Sequence, residues 1–144
     1  MSAFTTELEV RPLPDGKLWE LLKGFSYYTD DGLLVTAPTG FVTDFASTPR
    51  PLWWLYPPWG KYGKAAVIHD LGYQLKFWSR GRCDDEYRKG MAILGVDVRT
   101  QRIMYAFLRA FGWIAWRRKP RKQRVEMFGS ALIRKRVWTE QPTS

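Results

Sequence analysis

The chain's one histidine, His69, is followed at once by a carboxylate, Asp70, and one helical turn later by a phenol, Tyr73. On a helix, residues four apart share a face while adjacent residues diverge by about 100°. His69 and Tyr73 therefore point one way and Asp70 another. Further on, the turn Ser79-Arg80-Gly81 precedes Asp84, Asp85 and Glu86. So short a connection returns the chain antiparallel, which lets Asp84 face His69. A carboxylate on the far nitrogen of an imidazole fixes its tautomer and supports the charge it gains on taking a proton. That is the wiring of a general base. A histidine paired only for packing is the plainer alternative. Asp70, the small Gly72 that lets another backbone approach, and the second acidic cluster weigh toward chemistry.

Upstream, Thr43-Asp44-Phe45-Ala46-Ser47 ends a β segment and enters a loop, where sites commonly gather. Asp44 is the second carboxylate brought to the site, with a turn or helix-cap role as its alternative. Two carboxylates with backbone carbonyls and water suit Ca²⁺, and Mg²⁺ less well. One cysteine, Cys83, with one histidine cannot make a protein-only tetrahedral zinc site, and it leaves no internal disulfide. Metal phosphohydrolases that need several histidines are excluded on the same count. Cys83 is a poor nucleophile, because Asp84 and Asp85 beside it raise its thiol pKa.

These residues need elements to hold them. The expected fold class is α+β, with N-terminal antiparallel β-hairpins forming a small sheet, an aromatic Pro/Trp loop, and a three-helix C-terminal part. Strands are expected at 4–10, 18–28 and 33–37, separated by the turns Pro14-Asp15-Gly16 and Asp30-Asp31-Gly32. Residues 49–63 carry Pro49, Pro51, Pro57 and Pro58 among Trp53, Trp54, Tyr56 and Trp59, an ordered loop whose apolar surface calls for a partner. Helices are expected at about 64–77, 83–94 and 98–117. The third repeats Ile103, Phe107, Phe111 and Ile114, a stripe expected on the core with Arg99, Arg102 and Arg109 turned outward. The organisation is one domain over 1–117, β over about 1–48 and helical over about 62–117, followed by a basic tail at 118–144.

The chain of 144 residues carries a net charge of +9, which favours polyanionic partners. Nearly all of that excess lies near the end, where Arg117, Arg118, Lys119, Arg121, Lys122, Arg124, Arg134, Lys135 and Arg136 oppose only Glu126. The tail reads as a solvated charge run or as a docking arm. Expected partners are an anionic membrane surface or other structural proteins, met through Trp53, Trp54, Trp59 and the tail. Nucleic acid is less favoured, because no base-reading motif is present. No basic segment followed by an apolar run opens the chain and no eighteen apolar residues run together, so a protein made in a cytoplasm and not transmembrane is expected.

The set Thr43-Asp44-Phe45-Ala46-Ser47-Thr48-Pro49, Ala65-Ala66-Val67-Ile68-His69-Asp70, Ser79-Arg80 before Asp84-x-x-Tyr87 and Met91, and Met104-Tyr105 resembles a tailed-phage and prophage family of unknown function, numbered 1353. The resemblance spans roughly residues 20–117 and implies a phage origin, with incorporation in a virion tail or baseplate, or a part in lysis. More distantly, His69-Asp70-x-Gly72-Tyr73 with Asp84-x-x-Tyr87 is similar to the small bacterial secreted phospholipases A2. That likeness implies His69 as base, Asp84 as its orienting partner and Tyr73 within the catalytic set, on a phospholipase-A2-like helix pair. It also implies a calcium site of Asp44, Phe45 and Asp70, since Thr43-Asp44-Phe45 resembles the Thr-Asp-Leu of those enzymes. Two functions follow: a calcium-assisted ester hydrolase at the host envelope, or a non-catalytic docking component of a phage tail that keeps the fold only.

Overall fold

Asx and threonine turns set the β part. The computed structural model describes residues 3–5, 7–44, 62–119 and 133–135. In it the Asp15 side chain accepts from the N–H groups of Lys17 and Leu18 at 2.9 and 3.0 Å. Gly16 takes the left-handed conformation there and closes a hairpin between β2 (Val10–Pro12) and β3 (Trp19–Leu21). The Thr29 hydroxyl accepts from Leu33 N–H at 2.9 Å, and Gly32 supplies the positive φ. This second turn joins β4 (Phe25–Tyr28) to β5 (Leu33–Ala37). With β1 (Ala3–Phe4) on β4 and β7 (Ile133–Lys135) on β5, one antiparallel sheet runs β1-β4-β5-β7. The other runs β2-β3-β6, with β6 at Val42–Thr43.

The segment 18–28, expected as one strand, is two strands in different sheets. The break falls at Leu22-Lys23-Gly24. A Cβ on Gly24 would lie 2.8 Å from the Ala37 carbonyl oxygen, so only glycine lets the chain cross there. Likewise, the strand expected at 4–10 is divided, with Phe4 in β1 of one sheet and Val10 in β2 of the other. Ile133–Lys135, inside the segment read from sequence as a tail, pairs antiparallel with Leu33 to Val35.

Three helices follow the β part: α1 (Gly63–Leu75), α2 (Arg80–Ile93) and α3 (Val98–Arg117). α1 is buried on all sides from Gly63 to Tyr73 except at Lys64, the pattern of a helix at the centre of a domain. It stops at Lys76, whose left-handed backbone sends its N–H back to the Gly72 carbonyl. α2 starts at Arg80, earlier than expected, because the Ser79 hydroxyl caps it by accepting from Arg82 N–H at 3.1 Å. Asp97 caps α3 in the same way through Thr100. The core joins Leu21, Phe25, Tyr27, Val35 and Phe41 from the strands to Val67 and Leu71 of α1, Tyr87 and Met91 of α2, and Met104 and Leu108 of α3. The fold is α+β, strands first and helices after. Among the described residues, no helix is long and apolar enough to cross a membrane.

α3 corrects the sequence reading. Its core face is Gln101, Met104, Leu108 and Gly112, while Ile103, Phe111 and Ile114 stand 39%, 51% and 44% exposed. Both rows follow the helical period, and periodicity alone does not choose between them. What chooses is Gly112: a Cβ there would lie 2.7 Å from the Tyr73 hydroxyl, so α3 meets α1 through its smallest residue. Arg109 is exposed as expected, and its guanidinium also reaches back to Asp84 of α2.

Candidate functional site

The antiparallel pair α1–α2 closes to near contact at two points. A Cβ on Gly72 would meet Cys83 Sγ at 2.7 Å, and one on Gly90 would meet the Ala65 methyl at 2.9 Å. What Gly72 admits is thus the Cys83 side chain, not a backbone. His69 sits between these points. Its ring lies 4.2 Å from that of Tyr73 and 5.2 Å from that of Tyr87, centre to centre. Its Nε2 is 2.8 Å from Asp84 Oδ1, with both residues buried.

Asp84 is fully buried and is the hub. Oδ1 takes His69 Nε2 and also the Tyr73 hydroxyl at 2.7 Å, while Oδ2 takes Arg109 Nη1 at 2.9 Å with Arg80 Nη1 at 3.5 Å. Burial alone would raise the Asp84 carboxyl; the hydrogen bonds from His69, Tyr73 and Arg109 and the imidazole beside it outweigh burial and hold it below the ordinary carboxylate range. An ionised carboxylate only accepts, so the proton on this contact belongs to Nε2. The Tyr73 phenol is raised well above its ordinary value, first by burial and then by Asp84, so it stays a donor. Cys83 is pushed up to about 12, first by burial and then by Asp84, which disfavours a thiolate nucleophile. The sequence reading named the neighbouring charge and missed the larger cause.

Asp70 leaves α1 on another side, as its spacing requires. Its Oδ2 accepts from the buried Thr43 hydroxyl at 2.7 Å, which ties the end of β6 to α1. Asp44, the next residue, therefore arrives beside it. Asp44, His69, Asp70, Tyr73 and Gln74 all line one cavity of about 450 Å³. Phe107, Leu108, Phe111, Gly112, Ile114 and Ala115 of α3 form its apolar wall, and Arg118 and Lys119 complete it. Among the described residues, no group of three or more His, Cys, Asp or Glu side chains is gathered as a metal centre. Phe45 and Trp53, Trp54 and Trp59 lie outside the described residues.

The structure thus brings His69, Tyr73 and Asp84 into mutual contact and puts Asp44 and Asp70 on the same cavity. Sequence reasoning missed Arg109, Arg80 and the α3 wall. Arg109 carried one signal, a lone cation one position after the core residue Leu108. A family described as "Protein of unknown function (DUF1353)" matches residues 19–108, more than half of the chain. The chain belongs to this family. Within it falls every contact of the Asp84 cluster except those made by Arg109, one residue beyond the match. The chain is also 33% identical over 97 residues to "Uncharacterized protein y4jT" of Sinorhizobium fredii (strain NBRC 101917 / NGR234), covering 66% of this chain and 29% of that protein. It therefore spans less than a third of that relative's length. No solved structure matches the chain.

Proposed function

We propose that this DUF1353 protein is a calcium-assisted hydrolase of carboxylic esters, with His69 as general base. The observation that carries the proposal is the His69–Asp84 contact at 2.8 Å on a cavity that Asp44 and Asp70 also line. His69 Nδ1 takes a proton from a water as that water's oxygen bonds to the ester carbonyl carbon. Asp84, through Nε2, supports the imidazolium that results. When the acyl C–O bond breaks, the same proton passes to the leaving alkoxide, so an acid and an alcohol depart and the ring returns to neutral. Tyr73 is a positioning residue: its phenol donates to Asp84 and stays protonated. Calcium takes oxygen ligands, and the carboxylates of Asp44 and Asp70, which line the same cavity, would hold the ion. Bound there, calcium supplies polarisation of the carbonyl. The reading rests also on the resemblance of His69-Asp70-x-Gly72-Tyr73 to a motif of the small secreted phospholipases A2, and it sets the protein in a tailed-phage virion or in lysis.

A second reading is a non-catalytic docking component of a phage tail. The observation favouring it is the pair of guanidiniums on Asp84, since a fully satisfied buried cluster also serves to specify a fold. Calcium and a soluble ester separate the two. Protein dialysed against chelator should melt higher once Ca²⁺ is added, because a ligand bound only by the folded state stabilises it, and Asp70→Asn should abolish the rise. With calcium, wild type should hydrolyse a monomeric short-chain phosphatidylglycerol, and His69→Ala should lose about 10²–10⁴-fold while keeping one cooperative melting transition above the assay temperature. Calcium stabilisation without hydrolysis would leave the docking component standing.

A further inference from the structure

We propose that the outer stripe of α3 is a docking surface for an anionic lipid bilayer, with the cavity opening alongside it. Ile103, Phe107, Phe111 and Ile114 follow one another along one flank of the helix, and all but Phe107 are exposed. The Phe107 and Phe111 rings lie 4.7 Å apart, centre to centre, tilted at 40°, and form the middle of this apolar ridge. Phe107, Phe111 and Ile114 also line the cavity, which joins the ridge to the buried His69 and Asp70.

Cations frame this ridge. Arg118 and Lys119, both exposed, line the cavity beyond its C-terminal end, and Arg99 and Arg102 are exposed near its start. That charge selects the occupant. A second copy would bring the same cations against the same ridge, and the chain's net +9 opposes such pairing. A nucleic acid would satisfy the cations but set phosphates against Ile103 and Ile114. An anionic bilayer meets both demands, its headgroups pairing with arginine and lysine while its acyl region takes the aromatic and aliphatic side chains. The cavity repeats that order, with exposed cations, then an apolar wall, then the half-buried Asp44 with the buried Asp70 and His69. An anionic amphiphile laid from Lys119 inward would bring its acyl part along α3. The inference deepens the hydrolase reading by naming where substrate is met, but docking itself requires no catalysis.

The test is flotation of the full chain with phosphatidylglycerol vesicles in chelator, where no calcium-dependent hydrolysis runs. Wild type should bind these and not phosphatidylcholine vesicles, and salt should weaken the binding. Phe111→Ser with Ile114→Ser, and separately Arg118→Gln with Lys119→Gln, should each lose about tenfold or more in partitioning with melting unchanged. Equal binding to neutral vesicles, binding indifferent to the Phe111 and Ile114 pair, or absence of binding would each overturn the proposal. So would a stripe-dependent dimer in sedimentation, which would give the ridge to a second copy. Hydrolysis of the monomeric ester without vesicle binding would remove the surface and leave the hydrolase; vesicle binding without hydrolysis would do the reverse.

Discussion

α2 carries two buried carboxylates two positions apart, Asp84 and Glu86, and they face opposite ways. Each is ringed by a tyrosine and cations. Glu86 accepts from Tyr27 of β4 at 2.7 Å and from Arg82 at 2.9 Å, with Lys89 at 3.7 Å. Arg82 extends that group to Asp31 in the β4–β5 turn at 2.9 Å. Asp84 has its own tyrosine and two arginines, and in addition a histidine that lines a cavity. A buried, well-bonded carboxylate is thus no mark of a site by itself. Glu86 fastens the helices to the sheet, whereas Asp84 gives one oxygen to an imidazole at a cavity wall.

The comparison is sharpest if each carboxylate is removed in turn. Asp84→Ala should cost about 3–5 kcal/mol in urea unfolding, because the arginines and His69 lose the one buried group that balances them. A loss below about 1 kcal/mol would show the cluster to be hydrated and erase the distinction. Gly72→Ala should cost about 1–3 kcal/mol by driving a methyl into Cys83, beside Asp84. Gly90→Ala should cost a similar amount at the far end of the pair, and of the two only Gly72→Ala should lower ester hydrolysis.

Acid titration gives a smaller difference. The folded Asp84 carboxyl lies below its unfolded value, so its stabilisation is complete above the unfolded pKa of about 4 and is lost as pH falls through the folded value. Its share of the acid limb cannot exceed about 1.4 kcal/mol per pH unit, and Asp84→Asn should flatten that limb in a pH series of melting curves. Smallest of all, Glu86→Gln should cost about 1 kcal/mol, since a carboxamide still accepts from Tyr27, and it should leave hydrolysis intact. Loss of hydrolysis in Glu86→Gln would make the two carboxylates equivalent.

The distinction between these carboxylates was half legible in the sequence. That Asp84 meets His69 follows from local facts, helical spacing and a short turn, which act over a few residues and leave a clear trace. That Arg109 also meets Asp84 depends on how far α3 is rotated, which local pattern does not fix. Val98–Arg117 carries two rows of helical period, and the one that packs includes Gln101 and Gly112, which look less apolar than the row left exposed. The strand break at Gly24 had the same cause. Alternation continues on both sides of it, and the clash that demands glycine comes from Ala37, which lies far along the chain. The two tight turns, by contrast, rest on Asp15, Gly16 and Gly32, whose conformational preferences act where they stand.

Gly112 sets how closely α3 approaches α1, and α3 carries both Arg109 on Asp84 and the phenylalanines that wall the cavity. The width of the binding space and the charge around the imidazole's partner are therefore geared to one helix. A larger residue at this position would widen the cavity and withdraw a guanidinium from Asp84 in the same movement. The size of the cavity and the ion pairing of Asp84 are in this way not independently adjustable traits of the protein. A change in what the cavity admits would arrive together with a change in the ion pairing of Asp84, through a single glycine of its wall.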